Sequence, residues 1–345
     1  MVDTIVGISE YTFGGRAFVR AASSYGWDER FGSWKCRWGV WRMHYIVAPG
    51  LYAVGSPDGD SPVMVSCNYK MSFDRLRRDL GGMDAWILVI DTNGINVWCA
   101  AGKGTFGTDE IVRRVEEFKL GEVVSHRELI VPQLGAPSVS GHGVRKACGF
   151  KVTYGPVRSK DIAAFMGAGK KATDEMRRVK FGLVDRAVLV PMDIVMGLKI
   201  GVFVAACLFV LGGIYRGGYS SDLAMSVGGK SAVLFLGSFF WVAVLGPLLL
   251  PWLWGRAFAL KGVWVGLGLL VVVGCFNDFL ADGWFWAGAW VLAIPALSSF
   301  VLMNFTGAST YTSLSGVKRE MRIAVPVQIG CVIAAACLWI VNLFL

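Results

Sequence analysis

Five apolar runs in the second half of the chain constrain its fold most: about Met196–Tyr215, Ala232–Trp252, Gly262–Phe279, Trp284–Phe305 and Val325–Phe344. Each approaches the ~20 residues needed to cross the hydrocarbon core of a bilayer. Charged residues make up 17% of the 345 and the mean hydropathy is +0.53, too apolar for an ordinary soluble domain, where about a quarter are charged. Most Asp, Glu, Lys and Arg precede Arg186, so two parts are expected, one soluble and one in the bilayer. Residues 196–345 read as an all-α transmembrane domain of five helices.

Basic residues flank alternate connections. Lys170, Lys171, Arg177, Arg178 and Lys180 precede the first span, Arg256 and Lys261 lie between the second and third, and Lys318, Arg319 and Arg322 precede the fifth. The connection Asn277 to Gly283 is acidic instead, with Asp278 and Asp282. The positive-inside rule then predicts a multi-pass protein of the inner (cytoplasmic) membrane, with its N-terminal domain in the cytoplasm and its C-terminus outside. Arg216 and Lys230 fall in an outer loop and mildly oppose this. Much of the net charge of +9 flanks the membrane segments, so it points to lipid and not to nucleic acid. The start, Met1 to Gly32, lacks an apolar core of signal-peptide type. The loop Asn304 to Gly316, rich in hydroxyls and glycine, is expected on the cytoplasmic side, docked against the soluble domain.

Residues 1–44 are aromatic and basic (Trp27, Trp34, Trp38 and Trp41 among them) and read as an extension, either capping the domain or filling a small satellite core with its aromatics. From residue 45 to 169 strand-like and helix-like pieces alternate. Strands are expected at Tyr45 to Val54, Pro62 to Cys67, Ala85 to Ile90, Glu128 to Leu134 and Val152 to Tyr154. Helices are expected from Phe73 to Leu80, capped by Ser72, from Thr108 to Phe118, capped by Thr108, and over Gly143 to Cys148. Alternation of this kind predicts an α/β domain with a largely parallel sheet, whose ligands bind beyond the carboxyl ends of the strands. Residues 170–195 read as a charged linker or juxtamembrane helix.

The chemistry concentrates after the strand that ends at Ile90. Asn96 is a predicted N-cap and places Cys99 in the first turn of a helix, where unpaired N–H groups and the helix dipole favour a thiolate, a soft metal ligand. A lone Cys among apolar residues is also a common inert packed side chain, and the residues alone leave both readings open. A phosphate loop at Gly102-Lys103 is excluded, because Gly104 and Val97 stand where Ser or Thr and Gly are required. Among eight cysteines there is no Cys-x-x-Cys pair, so an iron–sulfur cluster in this chain is not supported. None of the three histidines lies in an Asp-x-His-x-x-Gly pattern, which leaves His126 and His142 as hydrogen-bonded surface or rim residues.

The stretch Asn96-Val97-Trp98-Cys99-Ala100-Ala101-Gly102-Lys103 resembles the signature of the mercury-methylating corrinoid proteins (HgcA type), relatives of the large subunit of the corrinoid iron–sulfur protein of acetyl-CoA synthesis. Pro49 to Gly55, Asn68-Tyr69-Lys70, Gly104 to Thr108, Val131 to Pro137 and Tyr154 to Arg158 extend the resemblance, as does the order of soluble domain then membrane helices. It implies a Rossmann-like corrinoid-binding domain over 45–169, with Cys99 as both catalytic residue and lower cobalt ligand. The iron–sulfur relative lacks this Cys, so Cys99 points to the mercury-methylating branch. The implied cofactor-binding residues are Thr92, Gly94, Asn96, Val97, Trp98, Cys99, Ala100, Ala101, Gly102, Lys103 and Thr105 around the first turn. Gln133, Leu134, Gly135, His142, Tyr154, Gly155 and Pro156 complete them. The implied activity is transfer of a cobalt-bound methyl group to mercuric ion. The implied partners are a small ferredoxin-like protein with two four-iron clusters and a folate-linked methyltransferase that supplies the methyl. A methyl carrier of one-carbon metabolism, with mercury an accidental acceptor, and a membrane scaffold or transporter subunit are the competing functions.

Overall fold

The computed structural model of the protein describes residues 8–276, 283–308 and 314–345. Asp278 and Asp282 of the acidic connection, and residues 309–313 of the expected docking loop, lie outside the described residues. The chain divides between Lys180 and Phe181 into two compact units. That division falls inside the expected linker, which is not one helix: short helices cover Asp174–Arg177 and Leu183–Ala187, with Arg178 extended between them.

The described residues of the first unit build a seven-stranded sheet from β1 (Ile8–Phe13), β2 (Arg16–Ala21), β3 (Gly50–Val54), β4 (Val63–Cys67), β5 (Ala85–Ile90), β6 (Glu128–Val131) and β7 (Lys151–Tyr154). The spatial order is β1-β2-β3-β5-β4-β6-β7. β5, β4, β6 and β7 are parallel neighbours, whereas β3 runs antiparallel to β5, so the sheet is mixed. Its helices are α1 (Trp27–Arg37), α2 (Lys70–Asp79), α3 (Val97–Lys103), α4 (Thr108–Glu117), α5 (Leu120–Val123), α6 (Gly141–Cys148) and α7 (Ile162–Gly167). Every residue of β5 is buried, with Trp86, Leu88 and Ile90 in one core and Ala85, Ile87 and Val89 in the other. That is why this strand reads as a continuous apolar run and not as an alternation.

Three expectations change. Residues 8–21 are not an extension but a hairpin of the sheet: Gly14 and Gly15 turn it with φ of 58° and 76°, and the Phe18 ring meets Trp86 edge-on at 4.8 Å. α2 begins at Lys70, ahead of the expected Ser72 cap, because Lys70, Asp74 and Arg77 are ion-paired inside the protein. Gly107, not Thr108, caps α4, and the Thr108 hydroxyl accepts the Ser140 N–H at 2.8 Å instead.

In the second unit, five helices among the described residues are long and apolar enough to cross a membrane: Leu183–Leu211, Ser221–Leu249, Phe258–Cys275, Trp284–Gly307 and Ser315–Phe344. The first stops short of Tyr215, because Ile214–Tyr215 pairs with Gly218–Tyr219 in a small hairpin. Small residues allow close helix approach there: a Cβ on Gly262 would lie 2.4 Å from the Ser298 carbonyl.

Three carboxylates tie the first unit together and set its acid stability. Burial alone would raise the pKa values of Glu29, Glu110 and Glu128, but hydrogen bonds from Arg77, from Arg114 and the Asp91 amide, and from Lys170 respectively outweigh it and hold all three low. A carboxyl depressed in the folded state stabilises fully above its unfolded value, about 4.3, and loses that contribution as pH falls through the folded value. The urea midpoint of the first unit should therefore be flat above about pH 5 and fall steadily below about pH 4. A midpoint that rises on acidification would contradict these pairings.

Candidate functional site

Parallel strands bring their carboxyl ends to one edge. Cys67 pairs with Ile90 and Val131 with Tyr154, so the four strands end nearly level, and the segments after them form a rim. Asn68, directly after β4, organises it. Its Oδ1 accepts N–H bonds from Thr92 and Gly94, each at 3.0 Å, and its Nδ2 donates to Asp91 Oδ1 at 2.9 Å. The Thr92 hydroxyl lies 2.8 Å from both Asn68 Oδ1 and the Ile95 carbonyl and donates to one at a time. Asn93 and Gly94 then turn the chain with φ of 56° and 71°. Gly94 is required twice over, since a Cβ there would meet Ile46 Cγ2 at 2.6 Å.

This turn delivers Asn96, whose Oδ1 accepts the Cys99 N–H at 2.9 Å and starts α3 as the sequence predicts. Val97, Ala100 and Ala101 face inward, while Trp98, Cys99, Gly102 and Lys103 are exposed. α3 closes at Gly104, with φ of 80°. A Cβ on Gly102 or Gly104 would meet nothing within 4 Å, so the surface beside Cys99 is open. Among the described residues of this unit, Cys99 is the one exposed cysteine. Burial pushes the thiols of Cys36, Cys67 and Cys148 up, which makes them poor thiolates.

α3 packs against the single turn Gln133–Gly135 that follows β6. Gly135 lies under Phe106, where a Cβ would come within 2.5 Å of the ring, and the Ser138 hydroxyl donates to the Phe106 carbonyl. The Gln133 side chain is half-buried, yet its amide oxygen is shielded from solvent with no hydrogen-bond partner. A buried acceptor without a donor is costly. The Tyr154 hydroxyl donates to the Val139 carbonyl at 2.6 Å, and His142 is exposed near the start of α6.

The expected site residues thus divide. Asn96, Trp98, Cys99, Gly102, Lys103, Gln133 and His142 present accessible surface or a free polar atom. Thr92, Gly94, Val97, Ala100, Ala101, Gly135, Gly155 and Pro156 are buried and shape the rim from beneath, while Thr105, Leu134 and Tyr154 are half-buried between the two sets. His126 is not on the rim: its Nε2 pairs with the Ser61 carbonyl at 2.9 Å, at the amino ends of β4 and β6. Sequence reasoning did not make Asn68 a site residue, although an Asn directly after a buried strand is the available signal. Asn68→Ala should lower stability by about 3 kcal/mol, because the Thr92 and Gly94 amides are left unpaired in a buried turn. Thermal unfolding checks this, and an unchanged midpoint would show that the turn holds itself.

The fold is a mixed α/β domain, with a rim at the carboxyl ends of its parallel strands, followed by a unit of membrane-length helices. Residues 42–166, which contain the whole rim, match the family model described as CO dehydrogenase/acetyl-CoA synthase delta subunit. The chain is 34% identical over 122 residues to the acetyl-CoA decarbonylase/synthase complex subunit gamma of Archaeoglobus fulgidus, covering 35% of this chain and 26% of that protein. For the same subunit of Methanopyrus kandleri the identity is 35% over 122 residues, covering 35% and 26%. For that of Methanosarcina acetivorans it is 32% over 129 residues, covering 36% and 27%. The chain therefore spans little more than a quarter of the length of these relatives, and the family match at 42–166 lies within the first unit.

Proposed function

We propose that the rim binds a corrinoid with Cys99 as its lower ligand, and that the chain is a corrinoid-dependent methyltransferase whose acceptor is mercuric ion. The exposure of Cys99, beside open surface and a buried, unpartnered Gln133 amide oxygen, carries the reading. Gln133 suits an N–H donor such as the carboxamide arms of a corrin, and the Cys99 sulfur is a soft donor suited to cobalt. A bound corrinoid would supply a cobalt centre able to carry a methyl group.

The chain's own residues fix the geometry. Asn96 pins the Cys99 backbone, so the sulfur is carried on a capped helical turn. Asn68 holds the turn that feeds the cap, and Trp98 and Lys103 stand on either side of the sulfur along α3 as a stacking surface and a cation for polar groups. Among the described residues no three His, Cys, Asp or Glu side chains gather as a metal site, so Cys99 would act as a lone protein ligand. Electrons and methyl groups would come from partners, a small ferredoxin-like protein and a folate-linked methyltransferase, and the first unit would face the cytoplasm.

The similarity to acetyl-CoA decarbonylase/synthase subunits favours a second reading, a membrane-anchored methyl carrier of one-carbon metabolism. Deleting and restoring the gene in an anaerobic host separates the two. Under the first, methylmercury formation from a mercuric salt disappears and returns with the gene, while growth in mercury-free medium is unchanged. Slowed growth and methyl-folate use without mercury, with methylmercury formation unaffected, would overturn it.

A further inference from the structure

α1 is built inside out. Its inward face carries Glu29, Ser33 and Cys36, all buried, while Trp27, Phe31, Trp34 and Trp38 form one outward stripe at helical spacing. Trp27 is 73% exposed and Trp41, in the turn after the helix, is 76% exposed. These tryptophans do not fill the satellite core that the sequence suggests.

The helix is nevertheless held firmly. Arg77 Nη2 reaches Glu29 Oε1 at 2.8 Å, the Cys36 sulfur lies 3.1 Å from the Tyr69 hydroxyl, and a Cβ on Gly32 would collide with the Tyr45 hydroxyl at 2.6 Å. Trp41 adopts a left-handed φ of 58°, a conformation that costs a bulky residue free energy, and it keeps its ring outward all the same. A fixed helix with a large exposed aromatic stripe marks an interaction surface.

Cations surround the stripe. Arg30 stacks over Trp27 at 5.4 Å and the Lys35 amine over Phe31 at 4.5 Å, with Arg37 and Arg42 half-buried further along. Asp28 is the exposed acid beside them, since Glu29 is buried and paired. We propose that this face of α1, with Trp41, docks on an anionic phospholipid surface. Tryptophan interleaved with Arg and Lys is the composition that settles at the boundary of headgroups and acyl chains, and the basic groups select negatively charged lipid. The occupant follows from the chain itself, which carries five helices long and apolar enough to cross a membrane and so would tether this unit to a bilayer. The docked face leads directly to the rim: Met43 and Ile46 lie against Gly94 of the Cys99 turn.

The test uses the full chain in lipid nanodiscs, one set of phosphatidylcholine alone and one containing phosphatidylglycerol. Hydroxyl-radical footprinting reads oxidation of Trp27, Trp34, Trp38 and Trp41. Docking predicts several-fold lower oxidation of all four in the anionic discs, reversal by added salt, and loss of the difference in an Arg30→Glu/Lys35→Glu variant, whose altered side chains are exposed. Equal oxidation in the two lipids would overturn the proposal. So would protection that appears only when a soluble protein is added, which would make the partner a protein, or protection that scales with chain concentration, which would make it a second copy.

Discussion

Replacing Cys99 by Ala should abolish methylmercury formation while the protein accumulates and unfolds as the wild type does. The side chain is exposed, so its loss opens no cavity and removes no packing. Its backbone N–H, which completes the cap, survives the substitution. Losing an outer-shell partner of a metal typically costs 10–100-fold, so losing the ligand itself should exceed about 100-fold. Cells carrying the variant at equal abundance, assayed with a mercuric salt, provide the measurement. Activity within a few-fold of wild type would remove Cys99 from the site.

The largest effect on stability should come from Arg77→Met. Arg77 is fully buried, with Nε 2.8 Å from Asp74 Oδ1, Nη2 at Glu29, and Nη1 on the Ser24 carbonyl at 2.8 Å and on the Ala22 carbonyl. Lys70 still reaches Asp74 at 2.6 Å, but Glu29 loses its cation and remains buried. Breaking a buried pair in this way costs about 3–5 kcal/mol, which lowers the midpoint of a unit of this size by roughly 10 °C. Replacing Glu29 together with Arg77 by apolar residues should recover much of the loss, because Asp74 keeps Lys70 as its partner and no uncompensated charge remains. Wild-type thermal stability in the single variant would show that the network contributes nothing.

How much was legible in the sequence follows from where each interaction lies along the chain. β5 and α3 could be read because their signals are local: an unbroken apolar run, then an Asn three residues before Cys99. The rim followed, because parallel strands place their following loops on one edge. The N-terminal hairpin has a local signal in Gly14-Gly15, but it joins the sheet through contacts such as Phe18 on Trp86, far along the chain, which the aromatic and basic composition of the region does not reveal. α2 begins three residues before the expected Phe73 because its buried charges are paired through Glu29, 48 residues from Arg77, a pairing no local pattern reveals. The same distance explains α1: nothing nearby says that its polar face is the inner one. Burial of Val97, Ala100 and Ala101, assigned to the cofactor by resemblance, shows that a motif marks a backbone path as much as a contact list.

The absorption spectrum of the full-length protein, purified without oxygen alongside Cys99→Ala, decides whether Cys99 ligates a bound corrinoid. The wild type should carry a corrinoid with the bands of a sulfur-ligated cobalt, and the variant, where it retains the corrinoid, the spectrum of cobalt lacking that ligand. Identical corrinoid spectra in the two proteins, or a wild-type protein with no corrinoid band after supply of the cofactor, would contradict it.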